Sequence, residues 1–374
     1  MNIAMSESTR KLRDFYEFKK DAPIVQKEFG FYSMERWIKE GHISKDTDIH
    51  KLFQFDDSGI AGLWGMGWCE AEFMPLFEEK IIEDRGEHEV VQDVYGRHVL
   101  YFKNKRSGFM PEYLTHPVTD MKSWEENCKW RMNPNTPERF SNLENLLADT
   151  KSQVENGKLV RQYMVGGYMY LRSLMGPEEL LYKFYDEPEL IHDCMKTWFE
   201  LADKMTSMYQ KEVTIDELFI GEDICYNHGP LISPDMIREF LFPYYQQLIT
   251  NIKSRQIDSG RHLFFQVDTD GYSIPVIDLY KEIGMDFMSP FEVASGCDVV
   301  EIGRQYPDLL MSGGFDKRII SLGNDAIDRE VDRIMPVMKK RGGYIPTCDH
   351  GVPEEVSFDN YMHFRKRMLE FSKS

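Results

Sequence analysis

The amino-acid sequence predicts an α/β protein in which parallel strands alternate with helical crossovers. After Lys158, short apolar runs are each followed by a turn and then by a longer amphipathic segment, which is the pattern of βαβ units. The length of 374 residues suits one large (β/α)8 barrel. Neither a GxGxxG nor a GxxxxGK(S/T) pattern follows any of the runs, so a nucleotide-binding sheet lacks its motif. Periodicity alone leaves two architectures open, a closed barrel and an open doubly wound sheet.

Seven apolar runs are predicted to be strands, one fewer than a closed (β/α)8 barrel requires. The predicted strands are Gly59–Trp68, Leu159–Val165, Glu217–Gly221, Leu263–Val267, Asp286–Pro290, Leu309–Gly313 and Gly343–Thr347. The predicted helices are Pro177–Tyr185, Pro188–Glu212, Pro234–Ser254, Ser273–Ile283, Cys297–Gln305 and Asp325–Arg341. A hairpin is predicted near residues 88–103, where apolar residues alternate on both sides of a Tyr-Gly turn.

The charge balance and the apolar pattern argue against several classes of protein. Lys and Arg number 45 and Asp and Glu number 63, so the formal net charge is −18. This argues against nucleic acid or an anionic membrane as the main partner, because both are bound by an excess of basic side chains. The chain has no apolar run of about 18–20 residues and no signal segment in its charged start. The six cysteines are dispersed without a CxxC motif, which predicts a reducing, cytoplasmic location.

Polar side chains collect directly after the predicted strands, at the end where barrel enzymes place their chemistry. Asp268 and Asp270 are the most specific pair, since residues two apart on a strand point to the same side. They are candidates to chelate a divalent ion or to bind a hydroxyl or ammonium group. The alternative is an ordinary turn at Asp270, with Asp268 capping the helix that follows. The other carboxylates at this end are Glu222, Asp223, Glu292 and Asp316.

Three further residues are weaker candidates. His350, next to Cys348 after the last predicted strand, has either a structural role or a role in metal binding or acid–base chemistry. His228 lies in a predicted loop. Its favoured role is to stabilise that loop, and the alternative is that it reaches the carboxylates at the ends of the strands. Arg172, with the aromatic residues just before it, is a candidate for pocket lining, although packing is the simpler interpretation.

Several segments resemble the uroporphyrinogen decarboxylase superfamily. They are GEDICYNHGPLISPDMIREFLF from Gly221, VDTDG from Val267, GGFD from Gly313 and GYIPTCDHGVP from Gly343. The resemblance runs from about residue 30 to the end and implies an α/β fold, a (β/α)8 TIM barrel with an N-terminal helical and hairpin extension. Residues 1–57 are accordingly predicted to be a helical extension packed on a barrel of residues 58–374, which carries the hairpin near 88–103.

The superfamily has two chemistries, and the start of the chain favours one of them. One branch decarboxylates uroporphyrinogen without a cofactor. The other comprises zinc-dependent methyltransferases that work with a corrinoid carried by a partner protein. The decarboxylases have an Arg-rich RQAGR-type motif near their start, whereas the corresponding residues 27–37 contain a single Arg here. The chain is therefore predicted to be closer to the methyltransferase branch.

The metal ligands of the methyltransferase branch are a His-x-Cys-Gly motif and a later Cys. These positions fall on Asp268, Asp270 and His350, with Cys348 as the substitute for His350. The resemblance thus implies a metal site, helped by Glu222, in which two carboxylates and a His replace the softer thiolate set. Such a set suits Zn²⁺ first and also admits Mn²⁺, Fe²⁺ or Mg²⁺.

The function implied is transfer of a methyl group from a small O- or N-methylated compound, for example a methoxyaromatic one, to a corrinoid on a partner protein. Asp223 or His228 is expected to protonate the leaving group. The residues expected to bind the substrate are Trp64, Tyr168, Tyr170 and Arg172. Two alternatives stay open. One is a decarboxylase of a small carboxylic acid with Asp268 or Asp270 as general acid, and the other is a non-catalytic protein that binds a small molecule.

Overall fold

The computed structural model describes residues 6–103, 106 and 111–372. The strands are β1 Ile60–Leu63, β2 Lys80–Arg85, β3 His88–Gln92, β4 His98–Phe102, β5 Glu112–Thr115, β6 Leu159–Val165, β7 Glu217–Gly221, β8 Cys225–Tyr226, β9 Gly229–Pro230, β10 Phe264–Asp268, β11 Phe287–Ser289, β12 Leu310–Ser312 and β13 Tyr344–Ile345. The α-helices are α1 Glu7–Tyr16, α2 Met34–Lys39, α3 Ile49–Phe53, α4 Met121–Ser123, α5 Leu143–Glu155, α6 Gly167–Met175, α7 Glu179–Asp186, α8 Pro188–Tyr209, α9 Pro234–Phe240, α10 Phe242–Arg255, α11 Ile274–Lys281, α12 Val299–Gln305, α13 Asn324–Arg341 and α14 Phe358–Glu370.

The main sheet has seven strands in the order β1-β6-β7-β10-β11-β12-β13, and every neighbouring pair is parallel. Each of the seven predicted runs overlaps one of these strands, so the predicted α/β fold of the TIM-barrel type is confirmed. Helices connect successive strands, as parallel pairing requires. Within the described ranges, β1 and β13 are the two outer strands of the sheet and do not pair with each other.

The predicted helices are present, with two departures. The segment predicted as one helix from Pro234 is divided at Leu241 into α9 and α10. Pro243 explains the break, because proline lacks the N–H that would continue α9 but is tolerated in the first turn of α10. Helix α6 was not predicted, since it begins with the conformationally permissive pair Gly166-Gly167. In the described parts of the chain, no helix combines the length and apolar character needed to span a membrane.

The N-terminal helix α1 packs against one end of the strands. Ser6 caps it by accepting the Thr9 N–H at 3.1 Å. Its last residue, Tyr16, lies with its ring centroid 4.3 Å from that of Phe264 on β10. The small apolar cluster at this end also contains Leu12, Phe15, Val25, Leu159, Phe287, Leu310 and Ile345. The division of the chain into an extension (1–57) and a barrel (58–374) stays a prediction.

A second sheet, β2-β3-β4-β5, is antiparallel. Its pair β3 and β4 is the hairpin predicted near residues 88–103. The turn forms because the Asp93 carboxylate accepts the N–H groups of Tyr95 and Arg97 at 3.0 and 2.9 Å. Gly96 supplies the left-handed conformation that the turn requires, with φ of +80°.

Candidate active site

A cavity of about 320 Å³ lies at the carboxyl ends of the strands, where barrel enzymes carry their chemistry. Its lining alternates along each strand because side chains on a strand point to one face at every second residue. Strand β6 contributes Arg161 and Tyr163, and β10 contributes Gln266 and Asp268. The remaining lining residues are Lys27, Glu28, Phe29, Trp68, Phe219, Ser289, Pro290, Ser312 and Thr347.

Asp268 is the acidic group of the main sheet in this cavity. Burial raises the pKa of its carboxyl to about 7, with Asp223 adding to the effect and the Ser289 hydroxyl, which donates to the carboxylate, opposing it. Burial, reinforced by the nearby Arg161, lowers the pKa of Lys27 to about 8. The cavity therefore holds a carboxyl that is close to half-protonated at neutral pH, beside two basic side chains.

Arg161 is fixed at the deep end of the cavity by groups from two other elements. Its Nη2 donates to Glu217 Oε2 at 2.8 Å, and its Nη1 donates to the Tyr163 hydroxyl at 3.0 Å. The Tyr16 hydroxyl of α1 also donates to Glu217. Burial raises the pKa of Glu217 well above its ordinary value. These hydrogen bonds between buried groups hold the guanidinium in place.

Asp270 and His350 meet at the mouth of the barrel. His350 Nε2 lies 3.9 Å from Asp270 Oδ2, and the imidazole packs against the rings of Phe29 and Tyr32, with centroids 4.8 and 5.9 Å away. Burial, followed by the repulsion of Asp223, raises the pKa of Asp270 to about 8. Burial, assisted by Lys317, lowers the pKa of His350.

Asp223 lies beside this pair and is itself paired. Its Oδ2 accepts from Arg172 Nη2 at 3.1 Å, and its Oδ1 accepts the Asp270 N–H at 3.4 Å. Its backbone is left-handed, with φ of +46°, which is a strained conformation for a residue other than glycine. Of the two predicted proton donors, Asp223 thus lies next to Asp270, whereas His228 is exposed in the turn between β8 and β9.

Glu222 lies behind the cavity, with both carboxylate oxygens already bonded. The side chain is completely buried; Oε1 accepts the Tyr168 N–H at 3.1 Å and Oε2 accepts the Tyr245 hydroxyl at 2.5 Å. Burial raises the pKa of Glu222 to about 7. The group joins the start of α6 to α10, and it would have to break these bonds to help bind a metal.

Cys348 is also turned away from the mouth. It is completely buried, and its N–H donates to Glu28 Oε1 at 2.8 Å. Burial, with Glu28 next, raises the pKa of its thiol well above the ordinary value. The structure therefore brings His350, rather than Cys348, to Asp270.

The three predicted ligands do not form a metal site as they are arranged. Asp270 and His350 offer two neighbouring ligands, but Asp268 is engaged by Ser289 inside the cavity. Among the residues that the structure describes, no group of three or more His, Cys, Asp or Glu side chains is placed to hold one ion. A structural or catalytic zinc site needs at least three protein ligands, so these residues fit a metal only if side chains rearrange.

The expected substrate wall needs correction. Tyr168 and Tyr170 are both completely buried, because α6 turns them into the core, and the Tyr170 hydroxyl donates to the Cys194 carbonyl at 3.2 Å. Trp64 is half exposed and stacks on Tyr163, with ring centroids 4.3 Å apart. Trp64 therefore contacts the lining residue Tyr163 but is not itself one of the residues that line the cavity. Arg172 pairs with Asp223 at the mouth.

Several lining residues were not among the sequence candidates. Arg161 and Gln266 lie inside strands that are otherwise mainly apolar, and this isolated polarity is the signal that could have identified them. Lys27 comes from the extended segment before α2, which no local pattern connects to the barrel. Trp68 and Phe219 stack at 5.4 Å with an interplanar angle of 6° and form the aromatic wall.

Comparison with known proteins agrees with this architecture. Residues 111–371 match the family model "Uroporphyrinogen decarboxylase (URO-D)". Since this is more than half of the chain, the protein belongs to the uroporphyrinogen decarboxylase family, whose predicted resemblance is thereby confirmed.

Two relatives illustrate the range of this similarity. Over its whole length the chain resembles the solved structure of a methyltransferase from Methanosarcina mazei, with a TM-score of 0.60, 12% identity, and 98% of this chain and 99% of that chain covered. That similarity shows the fold alone. A uroporphyrinogen decarboxylase from Hydrogenobaculum sp. (strain Y04AAS1) is 24% identical over 135 residues, which is 36% of this chain and 37% of that protein. The match thus spans little more than a third of the relative.

Proposed function

We propose that this protein is a methyltransferase that takes a methyl group from a small O- or N-methylated compound, preferably a methoxyaromatic one, and passes it to a corrinoid on a separate protein. The observation that carries the proposal is the position and acidity of Asp268. Its carboxyl, with a pKa raised by burial to about 7, lies in an aromatic-walled cavity. A general acid works best when its pKa is near the working pH, so Asp268 is suited to protonate a departing heteroatom.

The cavity size supports a small substrate. Its volume of about 320 Å³ is at the lower end of the roughly 300–1,000 Å³ typical of ligand pockets. A single aromatic ring suits this volume, whereas a tetrapyrrole exceeds it. Trp68, Phe219 and Tyr163 supply flat apolar surfaces for such a ring.

Asp268 and Ser289 account for the proton that the leaving group needs in this reaction. When a methyl group leaves an ether without its bonding electrons, the electron pair stays on the oxygen. The resulting alkoxide or phenolate takes the proton of Asp268, and the Ser289 hydroxyl, which donates to Asp268, stabilises the carboxylate left behind. The corrinoid would supply the electron pair that accepts the methyl group.

The mouth of the barrel is the place where such a partner would approach. Phe29 and Trp68 line the cavity and are about half exposed, so the cavity opens beside them. Tyr32 and Trp64 add further exposed aromatic surface nearby. Exposed apolar surface of this kind favours protein contact. We expect the reaction to take place in the cytoplasm, which the six free cysteine thiols support.

The proposal includes a divalent metal, with Zn²⁺ as the preferred ion, and the metal content of the protein is to be measured. Asp270 and His350 are the two ligands that the structure places together. Because the third predicted ligand is engaged elsewhere, no step above depends on a metal.

The test is turnover of a panel of methoxylated aromatic compounds with reduced cobalamin, followed by the absorbance of methylcobalamin. We expect Asp268→Asn to lower kcat by about 10²–10⁴, the usual contribution of a general acid. Asp235→Asn, an exposed carboxylate on α9, is the matched control and should match the wild type. Release of CO2 from an aromatic acid without methyl transfer would replace the proposal with decarboxylation. Binding without either reaction would leave a protein that only binds.

A further inference from the structure

Lys27 is a basic side chain of the cavity whose nitrogen is both accessible and unpaired. The residue lines the cavity and keeps part of its surface exposed. Among the residues that the structure describes, its nitrogen takes part in no hydrogen bond and no ion pair. Inaccessible polar atoms without a partner do occur in the described chain, for example on Arg161 and Gln266. The Lys27 nitrogen is not one of them, so it keeps surface that a molecule in the cavity can reach.

The groups around Lys27 leave its amine partly neutral. Burial and the like charge of Arg161 lower its pKa to about 8, against the opposing attraction of Asp268 and Glu28. Glu28 is already engaged by two donors from the end of the chain, at 2.8 and 3.0 Å. An amine with this pKa is about half neutral at pH 8, whereas an ordinary lysine stays almost entirely charged there. Only the neutral amine has the free electron pair that a nucleophile needs.

Asp268 supplies an acid in the same cavity. Its carboxyl and the Lys27 amine interact electrostatically, and burial raises the pKa of the carboxyl to about 7. A lysine that is neutral near physiological pH can attack a carbonyl carbon. A carboxyl with a pKa near 7 can deliver and remove the protons of that reaction. A lysine on the protein surface has neither advantage.

The walls of the cavity favour an aromatic compound. Trp68 and Phe219 stack with ring centroids 5.4 Å apart, and Tyr163 lies 5.3 Å from Phe219. One side of the cavity is therefore flat and apolar, which suits a ring. The volume of about 320 Å³ accommodates one substituted ring and little more. The carbonyl compound that fits both the amine and the wall is a small aromatic aldehyde.

We infer that Lys27 is a nucleophilic amine that forms an imine with small aromatic aldehydes, with Asp268 as the acid that removes the water. The nitrogen electron pair attacks the carbonyl carbon, and the carbonyl oxygen takes the proton of Asp268. The carboxylate then removes a proton from the nitrogen and passes it to the new hydroxyl, which leaves as water while the nitrogen electron pair forms the C=N bond. The carboxylate finally removes the last N–H proton.

One amine and one aldehyde thus give one imine and one water, and no oxidant or reductant takes part. The inference goes beyond the proposed function, because the amine can bind an aldehyde whether or not the protein transfers methyl groups.

The test traps the imine by reduction in the full chain. The protein is mixed at pH 7 with 4-methoxybenzaldehyde and sodium cyanoborohydride, and peptide mass spectrometry locates the reduced adduct. We expect Lys27 to be labelled at least about tenfold faster than Lys122, whose side chain is 78% exposed, because the Lys27 amine is neutral more often than that of an ordinary lysine. Equal labelling of the two residues, or no labelling of Lys27, would overturn the inference.

Variants separate the two roles. With one equivalent of aldehyde, the intact wild-type chain should gain one adduct, which Lys27→Met and Lys27→Arg should lose and Lys122→Met should keep. Lys27→Arg retains the positive charge, so it serves if Lys27→Met does not fold. An adduct retained in the Lys27 variants would overturn the inference.

Asp268→Asn tests the acid. It should slow the labelling of Lys27 by about 10²-fold or more, the usual contribution of a general acid, and leave the labelling of Lys122 unchanged. Labelling of Lys27 at the wild-type rate in this variant would overturn the role of Asp268.

This inference and the proposed function fail separately. Trapping at Lys27 without methyl transfer from any methoxylated compound would remove the proposed function alone. Methyl transfer without trapping at Lys27 would remove this inference alone.

Discussion

His350 Nε2 lies 3.9 Å from Asp270 Oδ2, across the mouth of the barrel. Asp270 follows β10 and His350 follows β13, so two strands separate the elements that carry them. The contact forms because the sheet curves. In addition, Phe29 and Tyr32, from the N-terminal segment of the chain, pack against the imidazole. The mouth is therefore assembled from three distant parts of the chain.

This contact leads to a prediction about zinc. If side chains rearrange so that zinc binds at the mouth, the zinc should be lost from Asp270→Asn and from His350→Gln, because these are the two candidate ligands that the structure places together. Cys348→Ser should retain it, since the thiol is buried beside Glu28. The measurement is elemental analysis of protein purified without chelator and then dialysed against Zn²⁺. Loss of zinc from the Cys348 variant, with retention in the His350 variant, would show that the loop after β13 has a different register.

The buried carboxyl of Glu222 predicts a pH-dependent stability. Its pKa is raised from 4.5 to about 7, so the folded state binds this proton more tightly than the unfolded state. The stabilisation is complete below pH 4.5 and is lost as the pH rises through about 7. Glu222→Gln does not titrate. Relative to this variant, the wild type should lose up to about 3 kcal/mol of unfolding free energy between these pH values, as measured by urea unfolding. If the unfolding free energies of the wild type and of Glu222→Gln changed with pH in the same way, the prediction would be contradicted.

Gly166 leaves room for that carboxyl. A Cβ atom at Gly166 would lie 2.7 Å from both the Glu222 Cα and the Gly221 carbonyl oxygen, closer than such atoms approach. We expect Gly166→Ala to destabilise the protein by about 1–3 kcal/mol, as overpacking usually does, with a lower Tm in calorimetry. Gly30→Ala is the control, because nothing lies within 4 Å of the added atom there. An equal Tm for both variants would mean that α6 moves without strain.

The hydrogen bond from Tyr16 on α1 to Glu217 is predicted to stabilise the protein. Tyr16→Phe removes the hydroxyl that donates to Glu217 and leaves a buried acceptor with one bond fewer. Unfolding free energy should fall by about 1–3 kcal/mol. The exposed Tyr185→Phe, 74% exposed, should be neutral within about 0.5 kcal/mol. A Tyr16 variant as stable as this control would show that Arg161 alone is sufficient to hold Glu217.

Much of the fold could be predicted because its signals are local. The apolar runs gave all seven strands of the main sheet, and the alternation around residue 95 gave the hairpin of β3 and β4. What could not be predicted depends on contacts between distant residues. Whether Cys348 or His350 faces Asp270 is decided by the Glu28 contact to Cys348, from a segment 320 residues away.

The same reason limits prediction of the site. Residues at strand ends, such as Asp268 and Asp270, are visible as polar positions after apolar runs. Side chains inside a strand, such as Arg161 and Gln266, face the interior only if the strands curve around them. Tyr168 and Tyr170 were expected to line the pocket but are buried in the core. The sequence shows only that aromatic residues cluster there, and it does not show that the helix that contains them is buried.

The bonds of Glu28 affect the order in which the protein can form during synthesis. Its partners Cys348 and Tyr361 lie 320 and 333 residues later in the chain, and its neighbours Lys27 and Phe29 line the cavity. These residues leave the ribosome early, yet they cannot take their final positions until almost the entire polypeptide has been made. Contacts of such large sequence separation form slowly. A nascent chain stalled before α14 would therefore hold every described strand of the main sheet but would lack Tyr361, one of the two partners of Glu28.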